Sequence, residues 1–298
     1  MLILLILLMI MILISIAFIT LMERKVLGLI QNRLGPNKLL IKGLLQPMAD
    51  GLKLFFKENL KNFSLNKYLF NIFPFINFFL MMLFWMIYNF KLMESMNYSM
   101  LFMIIISGLS VYCLFTSGWS SNSKYSLLGS YRSVAQTISY EVSLIFLLFS
   151  IFMIMNNYKL ITIKEFEYFN MTMNFSLWFL FMMWLIIIVA ELNRAPFDFA
   201  ESESELVSGF NIEYGSSKFA FLFLAEYGNI IFMSYITIYM FNMSLYMFNM
   251  LIMLFMLIWI RGTYPRFRYD NLMYLNWKKI LPNTLFICMI MFYMMIKI

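Results

Sequence analysis

Apolar runs of about twenty residues alternate with short polar connections along this chain, and the alternation repeats eight times. The runs lie near residues 2–22, 68–90, 100–117, 134–155, 173–192, 219–240, 243–260 and 280–296. Each is close to the length a helix needs to cross a hydrocarbon core of about 30 Å at about 1.5 Å per residue. The pattern predicts an all-α, polytopic membrane protein with about eight transmembrane helices in a single integral membrane domain over residues 1–298. The first run has no basic segment before it and no small-residue cleavage site after it, so it reads as a retained helix.

The first connection departs from this rule. Between residues 43 and 58, Leu44, Met48, Leu52, Phe55 and Phe56 recur at three- and four-residue spacing, while Asp50, Lys53 and Lys57 take another face. That periodicity predicts an amphipathic helix lying on the membrane surface. Gly35-Pro36-Asn37, ahead of it, is turn chemistry.

Charge then orients the chain. Eighteen of its 22 lysines and arginines fall in the odd-numbered connections, which places those loops on the positive side, matrix or cytoplasm, and both termini opposite. The net charge of +7 is therefore mostly a topology signal. The basic residues flank apolar spans and form no separate soluble module, so a nucleic-acid partner has little support. Composition agrees with lipid as the solvent: 63% of residues are hydrophobic, 12% are charged and the mean hydropathy is +0.81. Thirty Met and 34 Phe exceed what packing demands and fit the codon bias of an organellar genome.

Against that background the acids stand out. Glu226 falls about eight residues into the sixth run, where a carboxylate costs roughly 2.5–3.5 kcal/mol on insertion scales and is expected to face protein or water. Glu141 sits early in the fourth run behind Gln136, Thr137, Ser139 and Tyr140, a candidate wetted strip. Glu191, Asp198, Glu201, Glu203, Glu205 and Glu213 crowd the fifth connection against Arg194 and Lys218. Carboxylates so close raise one another's proton affinity when partly desolvated, the condition for proton exchange near neutral pH. Apolar neighbours such as Ala195-Pro196-Phe197 and Leu206-Val207 favour a buried acidic funnel over a solvated loop. Arg24, Arg33, Arg132, Arg194, Arg261, Arg266 and Arg268 gather near the same side; singly each follows the positive-inside rule, while together they can hold the acidic loop or dock an acidic partner. With two cysteines in separate runs and no histidine, the chain by itself cannot ligate an iron–sulfur cluster, a His-held haem or a His-based zinc. No phosphate loop or nucleophile–base pair is visible, so catalysis by this chain alone is not expected.

Met22-Glu23-Arg24-Lys25, Asn32-Arg33-Leu34-Gly35-Pro36-Asn37, Gly43-Leu44-Leu45-Gln46-Pro47 and Ala135-Gln136-Thr137-Ile138-Ser139-Tyr140-Glu141 occur in order. They are followed by Ala190-Glu191-Leu192-Asn193-Arg194-Ala195-Pro196-Phe197-Asp198, Glu203-Ser204-Glu205-Leu206-Val207-Ser208-Gly209-Phe210 and Tyr264-Pro265-Arg266-Phe267-Arg268. On these motifs, spread over nearly the whole chain, the sequence resembles the first membrane-arm subunits of respiratory NADH:ubiquinone oxidoreductase, complex I, of the mitochondrially encoded type. The resemblance implies a subunit of the proton-translocating enzyme that forms the ubiquinone access tunnel and the start of an acidic proton path, in the mitochondrial inner membrane. It implies Arg24, Arg33, Asp50 and Phe223 at the quinone passage. Tyr140, Glu141, Glu191, Asp198, Glu201, Glu203, Glu205, Glu213 and Glu226 belong by the same resemblance to the acidic path, with Arg194, Arg266 and Arg268 as loop partners. Ubiquinone is then a substrate. FMN and the iron–sulfur clusters belong to partner subunits, among them the quinone-site and terminal-cluster subunits, with small membrane subunits and lipid as further neighbours. Leu192 stands where the family usually has Thr, Ser202 where it has Gly and Asn59 where Pro is common; none of these removes a charge. Two other readings stay open at this point: a stand-alone cation or proton transporter, and the related membrane anchor of a hydrogenase.

Overall fold

A computed structural model describes residues 2–39, 41–58, 65–87, 98–155, 174–199, 209–211, 213–241 and 246–297. Among these the chain is helical. The helices are α1 (Leu2–Ile30), α2 (Gln46–Phe56), α3 (Lys67–Phe84), α4 (Ser99–Ser120) and α5 (Lys124–Met155). They continue as α6 (Asn174–Glu191), α7 (Ser216–Met240), α8 (Tyr246–Thr263), α9 (Tyr269–Leu275) and α10 (Leu281–Lys297). Five of them, α1, α3, α4, α5 and α7, contain stretches long and apolar enough to cross a membrane by length and composition alone. The protein is an all-α, polytopic membrane protein.

Apolar residues drive the layout in the manner expected of lipid. Leu, Ile, Met and Phe cover the outer faces, as Ile3, Ile10, Ile105 and Phe286 do, because the bilayer gives them no reason to turn inward. Close approach inside therefore depends on small residues. Gly118 in α4 faces Ser130 in α5 so tightly that a Cβ there would lie 2.4 Å from the serine Cβ. Gly228 in α7 takes the side chain of Met81 from α3, whose Sδ a Cβ would meet at 2.5 Å. These contacts set α4 against α5 and α3 against α7. The side of α5 away from α4 receives α6 and α10. Trp184, Leu144, Leu147 and Leu148 form the centre of the core.

The short surface helix α2 starts with Pro47 in its first turn, where a missing N–H costs no hydrogen bond. It exposes Met48, Leu52, Phe55 and Phe56 and rests against α1 and α7. The turn before it needs glycine. Gly43 has φ +77°, and a Cβ there would lie 2.3 Å from the Pro36 carbonyl oxygen. Two helices begin or end beyond the apolar runs. α1 continues to Ile30, past the run that ends at residue 22, and α5 starts at Lys124, well before residue 134. Hydropathy marks only where a helix is dry; the backbone hydrogen bonds carry it on into the polar layer.

Candidate functional site

Three cavities follow one another from a cleft between α1, α2 and α7, past α8, to the interior among α3, α4, α5, α6 and α7. The first and largest, about 620 Å³, opens between α1, α2 and α7 and is lined by Ile16, Ala17, Met48, Phe55, Phe219 and Phe223, with Arg24, Asp50, Glu23, Tyr227 and Arg261 as its polar groups. Its size and mixed lining suit an elongated apolar molecule carrying a polar head. Arg24 Nη1 donates to Asp50 Oδ2 at 2.5 Å, and Gln46 Nε2 donates to Asp50 Oδ1 at 3.1 Å. This joins α2 to α1 at the cleft mouth.

Glu23, Tyr227 and Arg261 are shared between this cleft and a smaller cavity of about 30 Å³. Glu23 is 6% exposed. It is ion-paired with Arg261 of α8, and its Oε2 accepts a 2.6 Å hydrogen bond from the Tyr227 hydroxyl. The face of the Tyr227 ring receives the Arg194 guanidinium, its Cζ 4.6 Å from the centroid.

Leu192 and Arg194 in turn line the third cavity, about 60 Å³, together with Glu191, Glu226, Asn193, Asn229, Asn77, Ser107, Ser110 and Thr137. Arg194 Nη2 reaches Glu226 Oε2 at 3.1 Å. Buried oxygens of Glu191, Asn193 and Asn229 find no hydrogen-bond partner among the described residues. The space exceeds the roughly 10–15 Å³ that a cavity needs to hold a water molecule, and its polar lining suits one. Glu141 adjoins this cavity behind Ser107, one of its lining residues. Its Oε1 accepts from Ser107 Oγ at 3.5 Å, and a Cβ on Gly108 would stand 3.0 Å from the same oxygen. Glu141 and Glu191 are electrostatic neighbours.

The remaining sequence candidates distribute as follows. Tyr140 is buried, its hydroxyl 3.4 Å from the Leu272 carbonyl and its ring stacked on Phe197. Asp198 is buried, with Arg266 Nη2 at 3.6 Å. Phe267 N donates to Pro196 O at 3.0 Å, and Gln136 Nε2 donates to the carbonyls of Ala190 and Phe197 at 2.7 and 2.8 Å. The stretch after α6, which includes a cis Ala195–Pro196 bond, is therefore held at both ends. Arg268 pairs with Asp270 at 3.0 Å on the surface. Arg33 is exposed on the turn after α1, apart from the cleft lining. Glu213 is partly buried just before α7. Beside it the Tyr214 phenol is pushed up to about 12 by burial, against the opposing effect of a hydrogen bond with Ser120. It stays protonated and donates to Ser117 O at 3.0 Å. Glu201, Glu203 and Glu205 lie outside the described residues.

Sequence reasoning missed Glu23, Tyr227 and the asparagines 77, 193 and 229 as site residues. A signal for Glu23 was present: it continues the buried stripe Ile12, Ile16, Ile19 at helical spacing. Tyr227 follows Glu226 directly, but the pairing of both with residues some 30 and 200 positions earlier is tertiary. Among the described residues no group of three or more His, Cys, Asp or Glu gathers in a way that could hold a metal ion.

Comparison with known proteins bears on this geometry. Residues 3–292 match the family model described as NADH dehydrogenase. A chain described as NADH-ubiquinone oxidoreductase chain 1 from Rhipicephalus sanguineus is 48% identical over 287 residues, covering 95% of this chain and 91% of the relative. Proteins of the same description from Heterololigo bleekeri and Anopheles gambiae are 46% and 45% identical, covering 92% and 91% of this chain and 91% and 88% of their own.

Proposed function

This chain belongs to the NADH dehydrogenase family as a core membrane subunit of NADH:ubiquinone oxidoreductase, and we propose that it provides the ubiquinone access tunnel and the first stretch of the proton-coupling path. One observation carries the reading: the apolar cleft and the acidic cavity are joined without a break by Arg261, Glu23, Tyr227, Arg194 and Glu226.

The cleft at α2 admits the quinone from the lipid, its isoprenoid tail against Ile16, Met48, Phe55 and Phe223 and its head toward Arg24, Asp50 and Glu23. Electrons come from an iron–sulfur cluster in a neighbouring subunit, with FMN further upstream. Reduction of the quinone to quinol takes up two electrons and two protons, and the proton demand changes the charge balance around Glu23 and Arg261. Tyr227 passes that change to Arg194, which is bound to the Tyr227 ring on one side and the Glu226 carboxylate on the other. Loosening the Arg194 pair shifts the proton affinity of Glu226, then of Glu191 and Glu141. Tyr140, Asp198, Glu201, Glu203, Glu205 and Glu213 also belong to this path, and Arg266 fixes Asp198. The eight long helices cross the mitochondrial inner membrane as one domain, with the basic odd loops in the matrix, the termini on the other side, and the remaining subunits of the complex around it.

Glu191→Gln and Glu226→Gln test the reading in the assembled complex. Each is expected to retain quinone reduction more fully than it retains protons pumped per electron. Full coupling in both variants overturns it.

A further inference from the structure

The helical rod at the C-terminal end carries a buried stripe at Leu272, Asn276, Ile280 and Thr284. Twelve residues of regular α-helix advance about 120° beyond three full turns at about 100° per residue. Thr284 would then face well away from Leu272. A π turn at Asn276–Ile280, in which Leu281 N donates to Asn276 O, accommodates one extra residue and takes back about 100°. The four positions stay on one face, and that face meets α5.

Asn276 is the one carboxamide on this stripe. It is fully buried, its Nδ2 donates to the Ser139 carbonyl at 2.6 Å, and its Oδ1 has no hydrogen-bond partner among the described residues. A half-satisfied buried amide is a poorer packing choice than leucine of similar volume, so packing alone does not account for it. The same segment makes two more contacts with α5. The Tyr140 hydroxyl approaches Leu272 O at 3.4 Å, and Ser139 Oγ approaches Met273 Sδ at 3.7 Å. On the other side of α5 the carboxylate of Glu141 extends over Gly108 toward Ser107.

Apolar side chains in lipid resist rotation of a helix about its axis only weakly, whereas a hydrogen bond to a backbone carbonyl fixes its azimuth. We infer that Asn276 is a positioning residue: by holding the Ser139 carbonyl it sets the rotation of α5 and thereby keeps Glu141 beside the acidic cavity. The π turn serves this by aiming the amide squarely at α5. The inference rests on the proposed role of Glu141 in the proton path and deepens it.

The test is Asn276→Leu in the assembled oxidoreductase, with Asn276→Gln as the variant that restores a donor and Glu141→Gln measured in parallel. N276L is expected to reduce quinone at half the normal rate or better while protons pumped per electron fall at least twofold. A cryo-EM map should then show Glu141 withdrawn from Ser107, and N276Q should recover most of the pumping. Normal pumping in N276L, or an unchanged Glu141 position, overturns the inference. Should N276L fail to accumulate, Asn276→Ala, which drops the donor without adding bulk, is measured instead; failure of both assigns Asn276 to packing and likewise overturns it. If E141Q pumps normally, the underlying role of Glu141 falls. If E141Q loses pumping while N276L keeps it, only the positioning role falls.

Discussion

Glu23 shows how much one side chain's meaning depends on its partners. In the sequence it is the acid of a charged triplet at the end of an apolar run; in the fold it is buried between the Tyr227 hydroxyl and Arg261. Glu23→Gln leaves Arg261 without its counter-charge, so turnover with quinone is expected to fall at least about tenfold, roughly 1.4 kcal/mol on the barrier. Tyr227→Phe removes one hydrogen bond to a charged group, worth roughly 1.5–3 kcal/mol at most, but keeps the ring beneath Arg194. Because the bond is made before the reaction as well as during it, only part of this reaches the barrier, so the rate should fall by a few-fold, and Tyr227→Leu, which also removes the ring, should lower it more. Steady-state assays of the three variants check the order; equal rates for Phe and Leu would show that the ring face contributes nothing.

At the scale of the helix, the residues of the strip expected behind Glu141 divide: Thr137 lines the third cavity, while Gln136, Ser139 and Tyr140 turn to backbone carbonyls. One to three turns earlier in α5, Ser126, Ser130 and Ser133 turn their hydroxyls back to carbonyls of their own helix, so they act chiefly as small residues that let α4 and α5 come together. Gly118→Val should therefore prevent α4 from seating and abolish assembly, read as loss of the subunit from the complex on native gels. Gly51 in α2 has nothing within 4 Å of an added Cβ. Gly51→Ala should leave assembly intact and strengthen α2 by up to about 1 kcal/mol through helix propensity. The same helix owes little stability to the Arg24–Asp50 pair, whose side chains are 48% and 36% exposed. Such pairs contribute about 0–1 kcal/mol, so Asp50→Asn is expected to spare assembly while raising the apparent KM for quinone. The surface helix was readable from its apolar spacing. The early start of α5 was not, because serine and glycine carry no hydrophobic signal and pack only against a partner helix.

For the molecule as a whole, the charge asymmetry of the loops predicts that a cysteine placed at exposed Lys57, in a chain with Cys288 changed to Ser, reacts with an impermeant maleimide from the matrix side alone. Labelling from the opposite side would invert the proposed topology. The all-α, polytopic class and the surface helix were determined by the sequence itself, which also sets the expected side of the basic loops and the list of candidate membrane acids. Each follows from a local quantity: hydrophobic length against bilayer thickness, apolar spacing against the helical turn, or the cost of a carboxylate in lipid. Only the tertiary structure decided that Arg194 reaches Glu226 on α7, that Glu23 and Tyr227 join a cleft to a cavity, and that Asn276 grips α5. Those contacts join residues 32 to 204 positions apart. Where one helix turns its face to another is set by small-residue packing and by a π turn's phase, quantities that exist only once the helices have met.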